Sequence, residues 1–322
     1  MRHKGGPRLL ATDREGALYL ERARIHVEGG RIVYHITDDE HHRVYNIPHV
    51  NLAVLFIGQG TSITQDAIRL LGEEGVHLAV TGSGGSPMHM GALTTYTATR
   101  HFREMLPIYQ QPDLSLTAAK ALMRDRSERM KTIGGLYVRK YLGLRDISEL
   151  KKICGRLDAD LDKVTNSQEL LGFEGQFSKA CYAQFSRMSG LSKNGTFHRE
   201  AGISEPINRK DHVNLVNHLV DHGNYLCYGM AGAALWALGI PPHMSVFHGK
   251  TRAGGLVFDL ADGFKDSLVL PLAFAAILSR RDETPETTFR ARMINAFDDR
   301  EILKEAIATI NRMIAAGQRN HK

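Results

Sequence analysis

Gly82-Ser83-Gly84-Gly85-Ser86-Pro87-Met88-His89-Met90-Gly91 divides this 322-residue chain into two unlike parts. Its glycines, serines and proline read as a loop. Upstream of it, residues 17–27 and 31–37 are rich in Val, Ile, Leu and Tyr, with Glu28-Gly29-Gly30 between them as a tight turn. Residues 42–47 make a third candidate strand, ended by Pro48, and residues 52–57 and 76–80 are continuous apolar runs of strand length. Between the last two, Thr61-Ser62 can cap a helix with Ile63, Ala67, Ile68 and Leu71 at helical spacing. From about Thr99 onward the pattern turns helical. Residues 116–131, 147–157 and 167–188 predict helices, and Asp211 opens a long one that stops at Gly239 before Pro241. Residues 260–279 and 301–316 add two more, and Thr284-Pro285 starts another. The expected fold class is α+β, with a β-rich, β-sandwich-like domain over residues 1–98 and an all-α domain over 99–322.

A hydrophobic content of 43% and a charged content of 24% are those of a globular protein and exclude disordered and fibrous classes. The opening Met1-Arg2-His3-Lys4 runs into Gly5, Gly6 and Pro7 without an apolar core, which predicts no secretory leader. The longest apolar stretch, residues 229–240, is too short to cross a bilayer. The expectation is a cytoplasmic protein without a membrane partner. Cys154, Cys181 and Cys227 lie far apart with no paired spacing, so they read as reduced core residues and not as a zinc cluster or disulfide framework. A net charge of +6 is compatible with a phosphate-backbone partner.

Glu174 breaks the helical pattern around it. The apolar stripe of residues 167–188 runs Leu170, Glu174, Phe177, Cys181 and Met188, so a carboxylate takes a core-facing slot. A buried carboxylate needs a cation, a metal or a proton. A salt bridge to a neighbouring Lys or Arg and a metal ligand both satisfy it. Gly172 and Gly175, each unfavourable in a helix by roughly 1 kcal/mol, suggest that something approaches this helix closely.

A second cluster runs from Val246 to Asp262 and joins His248, Lys250 and Arg252, a Gly-rich turn, an apolar strand-like piece, and Asp259 and Asp262 three residues apart. Acids at the start of a helix are commonly caps, and Asp259 has that reading as well as a functional one. His248 stands out among the 16 histidines because it sits between apolar residues and a basic glycine loop. Two carboxylates and an imidazole suit Mg²⁺ or Mn²⁺, the hard ions that organise phosphoryl transfer. Lys250 and Arg252 could hold phosphate oxygens. Gly58-Gln59-Gly60-Thr61-Ser62-Ile63 follows a strand and precedes a helix, but Ile63 stands where a dinucleotide fingerprint needs glycine. Residues 82–85 lack the Lys-Ser/Thr of a nucleotide-phosphate loop, so neither nicotinamide nor ATP binding is expected.

These segments together resemble the CRISPR-associated adaptation integrases, most closely their subtype I-F branch. The resemblance spans nearly the whole chain. It rests on Gly58-Gln59-Gly60-Thr61-Ser62-Ile63-Thr64-Gln65, Leu170-Leu171-Gly172-Phe173-Glu174, Asp221-His222-Gly223-Asn224-Tyr225-Leu226, and His248-Gly249-Lys250-Thr251-Arg252 through Lys265-Asp266. It implies Glu174, His248 and Asp262 as metal ligands for Mg²⁺ or Mn²⁺, with Asp259 the first acid of the family's Asp-x-x-Asp/Glu element. Gly263 departs from the pattern, since relatives carry a bulkier residue there. The family's activity is spacer acquisition: a metal-dependent endonuclease and integrase joins prespacer 3′-hydroxyl ends into the CRISPR repeat by transesterification. The implied partners are double-stranded and branched DNA, a second copy of the chain bound through the β-rich domain, and a small dimeric adaptation subunit. In this subtype that subunit is fused to the interference nuclease-helicase. His248 would ligate the metal or carry a proton, and Lys250 and Arg252 would position the strand. A metal-dependent nuclease without joining activity, or a DNA-binding scaffold whose acids are only caps and ion pairs, fits the same residues less fully.

Overall fold

The computed structural model describes residues 14, 16–37, 43–81, 88–90, 99–191, 197–200, 202, 206–248, 254–278 and 284–319. Its first part holds β1 (Gly16–Leu20), β2 (Ala23–Glu28), β3 (Arg31–Ile36), β4 (Tyr45–Asn46), β5 (Leu52–Ile57), β6 (Ser62–Ile63), α1 (Gln65–Glu73), β7 (His77–Val80) and β8 (Met88–Met90). They form two sheets, in the orders β1-β5-β7-β8 and β4-β3-β2-β6. In the first sheet β1, β5 and β7 are parallel and β8 runs antiparallel to β7. The β2–β3 hairpin turns at Gly29 and Gly30, both at positive φ, as the expected tight turn requires.

Four expectations are corrected here. Residues 17–27 are not one strand: the chain leaves the first sheet after Leu20 and enters the second at Ala23. Arg22 turns the corner with φ near 48°, and its N–H donates to Gln59 O at 3.0 Å. Of residues 42–47 only Tyr45 and Asn46 pair, and His42 lies outside the described residues. Ser62 and Ile63 pair with β2, and Thr64, one turn later than expected, caps α1 by accepting from Ala67 N–H. The dividing loop lies largely outside the described residues, but Met88–Met90 within it is a strand.

Leu20, Ile25, Ile32, Leu55, Ile57, Leu71 and Leu78 fill the space between the two sheets and α1. Ala17, Val54, Phe56 and Ala79, on the other face of the first sheet, belong to the core of the helical part. A parallel strand covered on both faces reads as an unbroken apolar run, which is why residues 52–57 showed no alternation. The class of structure changes near residue 98, but the core continues across.

The helical part contains α2 (Arg100–Gln110), α3 (Pro112–Arg129), α4 (Gly135–Tyr137), α5 (Ser148–Leu161), α6 (Ser167–Ser189), α7 (His212–Leu238), α8 (Gly255–Ala276), α9 (Pro285–Asp299) and α10 (Ile302–Arg319). π-helical turns at Met130–Gly134 and Val138–Leu142 flank α4. The start and stop signals at Asp211, Gly239 and Thr284 act as expected. α8 is the central helix, buried along its length except at Lys265. It begins at Gly254, which takes positive φ, so residues 255–258 are its first turn and not a strand. Asp259 and Asp262 therefore lie inside the helix, which removes the reading of Asp259 as its cap. All three cysteines are free and buried. Among the described residues no helix is long and apolar enough to cross a membrane.

Gly229 of α7 seats the helix on the first sheet. A β-carbon there would come within 2.2 Å of Phe56 Cε1 and 3.1 Å of Ala79 Cβ. Gly229→Ala is expected to destabilise the protein by about 1–3 kcal/mol through overpacking, read as a lower urea midpoint in circular dichroism.

Candidate active site

α6, α8 and the loop before α8 bring Glu174, His248, Asp259 and Asp262 to a single buried cluster, and α3 supplies its centre. Arg126 of α3 is 2% exposed. Its Nη1 donates to Glu174 Oε1 at 2.8 Å, and its Nε and Nη2 donate to Asp266 Oδ2 at 2.8 and 2.5 Å. Nη2 also donates to Ser178 Oγ at 2.8 Å, and that hydroxyl donates to Glu174 Oε1 at 2.8 Å. Asp262 Oδ2 lies 3.8 Å from Arg126 Nη1 and 3.7 Å from His248 Nε2. Its Oδ1 pairs with the Lys265 ammonium. The salt-bridge reading of Glu174 is thus realised, by a side chain from a distant helix.

Asp259 has a different place. Its Oδ2 accepts from Ser245 Oγ and from the N–H groups of Val246 and Phe247 at 2.8, 2.8 and 3.1 Å. Its Oδ1 accepts from His248 N–H at 3.1 Å and sits 2.6 Å from His248 Nδ1. With its oxygens so engaged, Asp259 is a positioning residue behind His248. It fixes the His248 ring with Nε2 facing Asp262.

Electrostatics decide the charge state. Burial would raise the Glu174 carboxyl, but Arg126 outweighs it and holds the group below its ordinary value. Burial likewise opposes ionisation of Asp262, yet Lys265, Arg126 and His248 together lower it. Burial works against the charges of Arg126 and Lys265 too, and the surrounding carboxylates raise both, Arg126 chiefly through Asp266 and Lys265 through Asp262.

Among the described residues no three His, Cys, Asp or Glu side chains stand ready arranged around one point. Arg126 and Lys265 take up the carboxylate oxygens instead. The residues nevertheless fit a hard divalent ion. Among the described residues, the acids Glu174, Asp259, Asp262 and Asp266 outnumber the cations paired with them, Arg126 and Lys265. Ligands about 2.1 Å from one ion lie roughly 3 to 4 Å apart, and His248 Nε2 and Asp262 Oδ2 are 3.7 Å apart.

Lys250 and Arg252 lie outside the described residues. Among the described residues, nothing lies within 4 Å of a would-be β-carbon at Gly172 or Gly175, so none of them makes the close approach expected there. Gly263 is inside α8 and leaves room for Arg129, whose Nη1 donates to Gly263 O at 3.2 Å. Sequence reasoning missed Arg126 and gave Lys265 and Asp266 no role. The missed signal was Arg126 on an apolar stripe of Ala119, Leu122 and Met123 of α3 and Met130 just beyond it, the same anomaly that exposed Glu174.

Residues 18–312 match the profile of the family described as CRISPR associated protein Cas1. The chain is 32% identical over 316 residues to the CRISPR-associated endonuclease Cas1 of Pectobacterium atrosepticum, covering 94% of this chain and 93% of that protein. It is 32% identical over 315 residues to the protein of that name from Pseudomonas aeruginosa, with 94% and 93% covered. The fold is similar to that in the crystal structure of a TtCas1–DNA complex, with a TM-score of 0.67 and 25% identity over 93% of this chain and 91% of that one.

Proposed function

Because the chain belongs to the CRISPR-associated Cas1 family, we propose that it is a divalent-metal-dependent DNA endonuclease and integrase of CRISPR spacer acquisition. It joins prespacer 3′-hydroxyl ends into the repeat array by transesterification. One observation carries this reading: Glu174, His248 and Asp262 come from separate segments of the chain and converge, Glu174 and Asp262 on Arg126 and His248 on Asp262. These three residues would hold Mg²⁺ or Mn²⁺, which supplies Lewis-acid neutralisation of the phosphoryl group and activation of the attacking hydroxyl. Asp259 keeps the His248 ring turned to the reacting centre. Arg126 fixes Glu174 of α6 against Asp262 and Asp266 of α8 and so sets the distance between the ligand-bearing helices. The protein acts in the cytoplasm, on double-stranded and branched DNA, with a small dimeric adaptation subunit fused in this subtype to the interference nuclease-helicase. A branched DNA carrying a 5′ flap, with the neighbouring strand ending in a 3′-hydroxyl at the branch point, tests the reading. Joining yields a rejoined strand plus a released end, whereas cleavage fragments alone would reduce the protein to a nuclease.

Lys250 and Arg252 bind the DNA backbone from the glycine turn. Neutralising both should weaken binding with little sequence dependence and lower the slope of log affinity against log salt by roughly one per lost phosphate contact. An unchanged slope would show that neither side chain reaches a phosphate.

The protein is a homodimer joined through the β-rich part, since insertion of a duplex needs two joining sites. At the edge of the second sheet Tyr45 of β4 and Val44 just before it are 36% and 53% exposed, and Ile36 at the end of β3 and Val50 are 41% and 57% exposed. Such a short apolar edge calls for a cover. Light scattering at micromolar concentration should give the mass of two chains, and a monomer would contradict this assembly.

A further inference from the structure

Lys265 is the one residue of α8 that is not buried, with 16% of its side chain exposed. It stands three residues after Asp262, so the two side chains share a face of the helix. Its ammonium pairs with Asp262 Oδ1, while Asp262 Oδ2 faces Arg126 Nη1 at 3.8 Å and His248 Nε2 at 3.7 Å.

The two cations at Asp262 are held in different ways. Arg126 is 2% exposed and donates to Glu174 and Ser178 of α6 and to Asp266 of α8, so it cannot move without stranding buried acceptors. Lys265 has Asp262 as its single ion-pair partner among the described residues. Its charge sits at the end of a flexible four-carbon stem, and its side chain reaches solvent. Of the two, Lys265 is the cation that can let go.

An ammonium and a dication on one carboxylate repel each other, and screening is weak where both are partly buried. Resting on the proposed role of Asp262 as a metal ligand, we infer that Lys265 competes with the divalent ion for Asp262. The ammonium turns out toward solvent as the ion binds, and this exchange sets the ion concentration at which the site fills. An ion pair formed about 90% of the time weakens the apparent affinity for the ion about tenfold. Lys265 is thus a positioning residue that acts through Asp262. It keeps a buried carboxylate compensated until the ion takes over that task.

The test measures Mn²⁺ binding to the full-length, chelator-treated protein through the electron paramagnetic resonance signal of the free ion. Lys265→Met keeps an unbranched apolar stem without the charge, and it should bind Mn²⁺ about tenfold more tightly than the parent. Lys265→Arg keeps the charge and should show no such gain. A lysine that only supported the fold would leave binding unchanged or weaker on removal. In the parent, acetic anhydride labelling of Lys265, read by mass spectrometry, should rise severalfold at saturating Mn²⁺, with the exposed Lys152 as reference. Equal or weaker Mn²⁺ binding by Lys265→Met, or labelling that Mn²⁺ leaves unchanged, overturns the inference while the proposed metal site stands. Asp262→Ala separates the two readings, because it should lose the ion. Mn²⁺ binding that survives Asp262→Ala, or that is absent from the parent and Lys265→Met alike, removes the proposed site and the competition with it.

Discussion

Alanine at Glu174, His248 or Asp262 is expected to reduce metal-dependent DNA cleavage and joining by about 10²–10³-fold or more, while the helical circular dichroism signal persists. Each side chain comes from a different element, and each supplies a donor that the other two cannot replace. Glu174 loses only its bonds to Arg126 and Ser178 on substitution, and Arg126 keeps Asp266. Asp262→Asn is the companion to Asp262→Ala, because it keeps the shape of the side chain beside Lys265. Asp259→Asn should be milder, about 10–100-fold, since it alters the hold on His248 Nδ1 and leaves all three ligands in place. Full activity of Asp262→Ala with Mg²⁺ or Mn²⁺ would remove Asp262 from the site.

Arg126→Ala should be the most destabilising single change in the helical part. The guanidinium is bonded to Glu174, Ser178 and Asp266 and lies within 3.8 Å of Asp262, so its loss strands several buried carboxylates. Removing one partner from a buried ionic network costs about 3–5 kcal/mol, far more than the network itself contributes over apolar packing. Urea unfolding should show that loss. Mn²⁺ should then recover part of it, because an ion that binds only the folded state adds stability with its concentration. A variant as stable as the parent would show that the carboxylates are compensated by other means. A loss of stability that Mn²⁺ does not touch would show that the acids do not form a metal site.

The division into a β-rich and a helical part was legible because strand-length apolar runs and helical caps differ plainly in period. What stayed hidden depended on distant residues. The corner at Arg22 is held by Gln59, and nothing near Glu21 announces it. The first turn of α8 reads as a strand because a short apolar run carries no period of its own. In the site, Glu174 was legible as a carboxylate on an apolar stripe. Arg126 has the same signature, but Lys120, Arg124, Asp125 and Glu128 surround it with other charges in the sequence and hide it. The place of Asp259 behind His248 could not be read, because it depends on α8 beginning at Gly255 and folding residues 245–248 over the carboxylate.

The central claim is that this chain joins DNA with a divalent ion held by Glu174, His248 and Asp262. The direct measurement incubates the full-length protein with a short duplex bearing free 3′-hydroxyls and a supercoiled plasmid carrying a CRISPR repeat. Covalent transfer of the duplex into the plasmid, dependent on Mg²⁺ or Mn²⁺, blocked by a 3′-deoxy end and absent with Asp262→Ala, is the predicted result. Transfer that persists in chelator or in Asp262→Ala, or plasmid nicking with no joined product under any divalent ion, would contradict it.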